Sequence, residues 1–181
     1  MNFNIEHKEN SWKKLLILPV SRNSIYINKA LFLLIQIVTA LFLFLIANII
    51  AGLVLGIIHP ELAFFSSVLK IGPMLKMLLR LFVSILGIFS IQYLLSLFFK
   101  NMIIPIASGM FLTVAALIVA LRWKYAVYFA YAFPQIFYYA SQGQLNVKSW
   151  NGIFITELNG LAIFLVLMIT GMFIFKNKQL K

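Results

Sequence analysis

Apolar residues fall into four long runs separated by short polar or aromatic stretches: Ala30 to Ile58, Met77 to Phe99, Met102 to Leu121 and Asn159 to Phe175. A bilayer-crossing helix needs roughly 20 predominantly apolar residues, and each run meets or approaches that length. The first is longer than a bilayer requires, so it is expected to tilt, bend or protrude. Near its far end Gly52-Leu-Val-Leu-Gly56 has the spacing of a close helix contact. Leu62 to Leu69 is too short to span, and Gly72-Pro73 restarts a helix where the missing proline N–H costs little. The pattern predicts an all-α membrane protein with about four transmembrane helices.

Tyr125 to Ala140 is apolar and aromatic but short and broken by Pro134. A fifth span there would also send the Lys-rich C-terminus to the other side of the membrane. The stretch 123–140 reads instead as an outer interfacial or re-entrant element. Trp123, Tyr125, Tyr128, Tyr131, Tyr138, Tyr139 and Trp150 have the composition of rings held at headgroup level.

Ahead of the first run the pattern changes. Trp12, Leu15 and Leu16 share one face of a short amphipathic helix, with Glu6 and Glu9 near its positive start and Lys13 and Lys14 near its negative end. Pro19 stops that helix, because it has no N–H to give and its ring clashes with the preceding turn. Ser21 is then placed to cap a second helix that runs directly into the membrane.

Composition agrees with the pattern. With 63% hydrophobic residues, 10% charged residues and a mean hydropathy of +1.01, the chain carries more apolar surface than a soluble core could hide. The net charge of +11 would suggest nucleic acid in a soluble domain, but the basic residues stand at the ends of apolar segments, where they anchor spans; no nucleic-acid partner is expected, and membrane lipid is. The positive-inside rule places both termini in the cytoplasm, with Lys8, Lys13, Lys14, Arg22, Lys29, Lys100, Lys176, Lys178 and Lys181 inside. Lys70, Lys76, Arg80, Arg122, Lys124 and Lys148 then fall outside, and the reverse orientation would place more charge there.

Candidate chemistry is sparse. The chain has no cysteine and no aspartate, and its carboxylates are Glu6, Glu9, Glu61 and Glu157, all at segment ends. His7 and His59 lie far apart in sequence with no carboxylate cluster beside them. These residues predict no metal site, no cofactor and no catalytic pair, and they argue against ion-coupled transport, which needs an ionisable group at depth. No Gly-x-x-x-x-Gly-Lys-Ser/Thr phosphate loop occurs, so ATP is not hydrolysed here by that route. Within the spans, Gln36, Asn48 and Gln92 are polar residues suited first to interhelical hydrogen bonds and second to lining a pathway.

The order Glu9, Trp12, a Leu-rich turn, Pro19-Val20-Ser21-Arg22, Tyr26 and Lys29 resembles the cytoplasmic coupling-helix region of type-2 ABC exporter permeases. Within that group it is most similar to the small permeases of bacteriocin (lantibiotic) and bacitracin immunity transporters. The resemblance is sharp over Glu6 to Lys29 and architectural beyond it. It implies residues 1–29 as a cytoplasmic coupling helix and elbow and 30–181 as a transmembrane domain. Glu6, Glu9, Trp12, Lys13, Leu16, Pro19, Ser21 and Arg22 would face a separate ABC ATPase subunit. It also implies a homo- or heterodimer with another permease chain, a bacterial plasma-membrane location, and export of a peptide antibiotic or other amphipathic molecule for immunity or resistance. Such permeases carry an earlier pair of spans, so the chain looks like the last two-thirds of one. The alternative from another class is a membrane scaffold or anchor whose basic, amphipathic N-terminus lies on anionic lipid.

Overall fold

The computed structural model describes residues 21–59, 71–99, 101–150 and 152–177. Four long helices dominate it: α1 (Arg22–Ile58), α2 (Ile71–Phe98), α3 (Ile103–Arg122) and, after the shorter α4 (Phe133–Ser141), α5 (Ile155–Asn177). α1 from Asn23 onward, α2, α3 and α5 are each long and apolar enough to cross a membrane. The protein is an all-α membrane protein, with four such spans among the described residues. Two short 3-10 turns, Ala126–Tyr128 and Ala130–Ala132, lead into α4, and a two-stranded antiparallel hairpin of β1 (Ser149–Trp150) and β2 (Ile153–Phe154) leads into α5. Gly152 turns that hairpin at a φ of 79°, where a side chain would be strained.

α1 starts earlier than its apolar run. Ser21 supplies the N-cap, its Oγ accepting from Ser24 N–H at 3.2 Å, and nothing between Arg22 and Ala30 breaks the helix. Its 37 residues extend about 55 Å at ~1.5 Å per residue, well beyond the ~30 Å hydrocarbon core. Its first part packs: Ile25, Tyr26 and Ala30, supported by Leu33, Leu34 and Ile37, meet Phe89, Tyr93, Leu97 and Phe175. Farther along, Leu43, Phe44 and Ile57 are 61–70% exposed, a surface that lipid or another chain's helices must cover.

α2 and α5 are the most extensively paired helices. Their contacts advance together, from Arg80 with Glu157 through Gly87 with Gly160 and Phe89 with Phe164 to Leu94 beside Gly171. The two helices are therefore parallel. Lipid offers apolar helices no reason to leave it, so association depends on close packing and hydrogen bonds. Glycines supply the closeness: a Cβ on Gly160 would stand 3.3 Å from the Val83 carbonyl oxygen.

The aromatic segment after α3 folds back among the helices. Ala126, Tyr131 and Ala132 are buried against the small faces of Ala116 and Ala120. Ala130 and Phe133 meet the middle of α2 at Gly87, and Phe133 also reaches Gly160. One turn into α4, Phe137 is back at the level of Arg80 and Phe154. The segment thus enters to the middle of α2 and returns to the end from which it came. Trp123, Tyr125, Tyr128 and Tyr138 are exposed. Tyr131 corrects the sequence expectation: it is 2% exposed and belongs to the core.

Candidate functional site

The segment that carries the expected coupling residues Glu6, Glu9, Trp12, Lys13, Leu16 and Pro19 lies outside the described residues. Ser21 and Arg22 are where it joins α1, the first as cap and the second as opening residue. The first turns of α1 then form a tightly locked junction. Tyr93 Oη donates to the Tyr26 carbonyl oxygen at 2.7 Å, and the two rings meet edge to face at 5.0 Å. Tyr26 also packs on Phe175 at 5.8 Å and donates its hydroxyl to the Met168 sulfur at 3.7 Å. A side chain on Gly171 would collide with the Tyr26 hydroxyl; glycine there is what lets the ring in. The start of α1 is thereby fixed to α2 through Tyr93 and to α5 through Met168, Gly171 and Phe175. This is the proximal end of the bundle, and the hairpin lies at the distal end.

The three polar residues singled out within the spans divide. Gln36 and Gln92 come together, lining a cavity of about 410 Å³ between α1, α2 and the start of α3, with Leu33, Phe89 and Ser96 among its other walls. Gln92 Nε2 also donates to Tyr131 Oη at 2.6 Å, and a Cβ on Gly109 would run into that amide. Gln92 therefore ties α2 to the segment that follows α3 while closing on α3. Asn48 stays apart, donating to the Phe44 carbonyl oxygen of its own helix at 2.7 Å, as Thr39 does to Ile35 at 2.9 Å.

The distal end holds an ion pair that segment-by-segment reading does not anticipate. Arg80 Nε and Nη2 each donate to Glu157 at 2.8 Å in a bidentate fork, with side-chain exposures of 25% and 3%. The guanidinium lies 4.6 Å from the Phe154 ring centroid and 5.3 Å from that of Phe137. Glu157 also accepts from Phe154 N–H at 2.7 Å, the reach-back of a capping-box glutamate in the first turn of α5. One cluster thus joins α2, α4, the hairpin and α5. Two signals in the chain point to it: an arginine inside an apolar run needs a carboxylate, and Glu157 is the only one after Glu61. Among the described residues, no group of three or more His, Cys, Asp or Glu side chains could hold a metal ion.

These features make a helical membrane body with a chain entry locked at one end and a latch at the other. No curated protein and no solved structure matches the chain. A family model described as ABC-2 family transporter protein matches residues 1–116, from the N-terminal segment through α1 and α2 into α3. The chain belongs to the ABC-2 transporter family, as a multi-pass membrane permease of the kind that works with an ABC ATPase subunit.

Proposed function

We propose that the chain is the permease of an exporter for a peptide antibiotic or another amphipathic molecule, acting in immunity or resistance at a bacterial plasma membrane. In this reading Glu6 to Leu18 is the helix that the ATPase pushes, and Pro19 to Lys29 is the elbow that passes the push on. The observation that carries it is the junction at Tyr26. A helix that merely anchored a chain to lipid would not need to be bonded to Tyr93 and wedged against Gly171 and Phe175. Because it is, displacement of the elbow is delivered to α2 and α5 as well as to α1. Gln36 and Gln92 then face cargo along the cavity that they share, and the exposed length of α1 meets a second permease chain.

The test is assembly with a separate ABC ATPase subunit, which this reading expects to be encoded beside the gene. Reversing Glu9 to Lys places a positive charge where the helix dipole and the expected interface favour a negative one. Recovery of the ATPase on the tagged permease should fall several-fold while membrane insertion is unchanged; undiminished recovery would remove Glu9 from the interface.

Orientation is tested separately. Single cysteines at Ser11 and Gln179, introduced into a chain that has none, should resist an impermeant thiol reagent in intact cells. One at Gln142 should react. Labelling at position 179 would mean that 123–140 crosses the membrane.

A further inference from the structure

We propose that the distal end carries a binding site for the phosphate headgroup of an anionic phospholipid, formed by Arg122, Lys124 and Lys148. The three cations line one open hollow of about 600 Å³. Arg122 ends α3, Lys124 stands in the loop after it, and Lys148 arrives from the stretch before β1, so the fold gathers charges that the sequence separates. Rim lysines spread along separate helix ends would not need a shared concavity. Among the described residues Glu157 is the only carboxylate, and it is occupied by Arg80 and Phe154 N–H. No described acidic group neutralises the hollow.

The walls select an amphiphile over a bare anion. Leu121, Val127, Ile136 and Ile155 give the hollow an apolar side, which suits the upper part of an acyl chain. Trp123 and Tyr125 are exposed rings beside it, and Lys124 Nζ lies 5.8 Å from the Tyr125 ring centroid. Amphipathic rings and cations at one level are what the headgroup region accommodates. The site stands apart from the exporter reading, since lipid selection at this end does not require cargo transport.

The full chain, purified in a non-ionic detergent and supplied with equal amounts of phosphatidylglycerol and phosphatidylcholine, should retain the anionic lipid preferentially in native mass spectra. A cation near such a headgroup is worth roughly fivefold in binding. The variant Arg122→Gln/Lys124→Gln/Lys148→Gln should therefore lose at least about tenfold of that preference. Lys76→Gln, at the same end of the bundle but outside the hollow, should leave the preference intact and controls for general attraction. All three changes are at exposed positions, and an unaltered helical circular dichroism spectrum confirms that the fold survives. Equal retention of the two lipids, or an equal loss with Lys76→Gln, would overturn the proposal. So would displacement of the lipid by inorganic phosphate alone, which would indicate an anion site with no use for the apolar wall.

Discussion

Changing Glu157 to Gln is expected to lower the thermal midpoint of the purified protein by roughly 5–10 °C, the shift that about 2–3 kcal/mol produces in a chain of this size. The cost comes from the charge left without its partner. Arg80 sits between the Phe137 and Phe154 rings, and its charge is accepted there because Glu157 offers a bidentate partner. A neutral amide of the same shape fills the space but cannot balance the guanidinium. The penalty stays below that of a fully buried pair because Arg80 keeps 25% of its side chain exposed. Removing both charges separates the roles: Arg80→Met with Glu157→Met should recover most of the lost stability, since a buried pair is often no better than apolar residues of equal volume. An unchanged midpoint for Glu157→Gln would mean that water already solvates Arg80. Failure of the double variant to recover would assign the loss to the N–H of Phe154, which also depends on Glu157.

That latch also marks where the sequence stops being readable. The four spans are legible because a bilayer demands long apolar runs, and α2, α3 and α5 contain those runs nearly to their ends. The start of α1 is only half legible: Ser21 announces a cap, but Arg22 to Lys29 is too polar to register as part of a span although the helix runs straight through it. Tyr131 is misplaced by a sequence reading because a tyrosine at the rim and a tyrosine folded inward look alike there. Its distinguishing partner is Gln92, on another helix, together with the alanines Ala116 and Ala120 that make room. Gln92 is legible as a helix-contact residue, but its partner is not. Glu157 looks like a segment-end charge and Arg80 like a lone cation inside an apolar run, and only the parallel pairing of α2 and α5 brings them together. Gln36 and Gln92 share a cavity for the same reason of topology, whereas Asn48, equally conspicuous in sequence, bonds to its own backbone. The expected coupling helix itself lies outside the described residues, so its role rests on Ser21 and on the Tyr26 junction just beyond it.

The parallel pair should be intolerant at Gly160 and tolerant at Gly87, although both glycines lie at the same crossing. A methyl on Gly87 would meet the Ala130 methyl at 3.4 Å, the Gly160 Cα at 3.5 Å and the Phe133 ring at 3.6 Å, which are ordinary contacts. Gly87→Ala should shift stability by less than about 1 kcal/mol. At Gly160 the first obstacle is the Val83 carbonyl oxygen at 3.3 Å, a backbone atom held by its own helix and unable to rotate away. Leucine there must move α5 bodily from α2, at a cost at or above roughly 1–3 kcal/mol, the usual range for overpacking. The consequence for export is larger than the stability figure. α5 carries Met168, Gly171 and Phe175 at the proximal end and Glu157 at the distal end; under the proposed coupling, prising it from α2 would uncouple the Tyr26 junction from half of the body that the junction is proposed to move. In the complex with its ATPase, Gly160→Leu should leave ATP hydrolysis measurable while export falls at least about tenfold, and Gly87→Ala should keep both. Export retained by Gly160→Leu would mean that the α2–α5 crossing is looser than its glycines indicate and is not the body through which motion is passed.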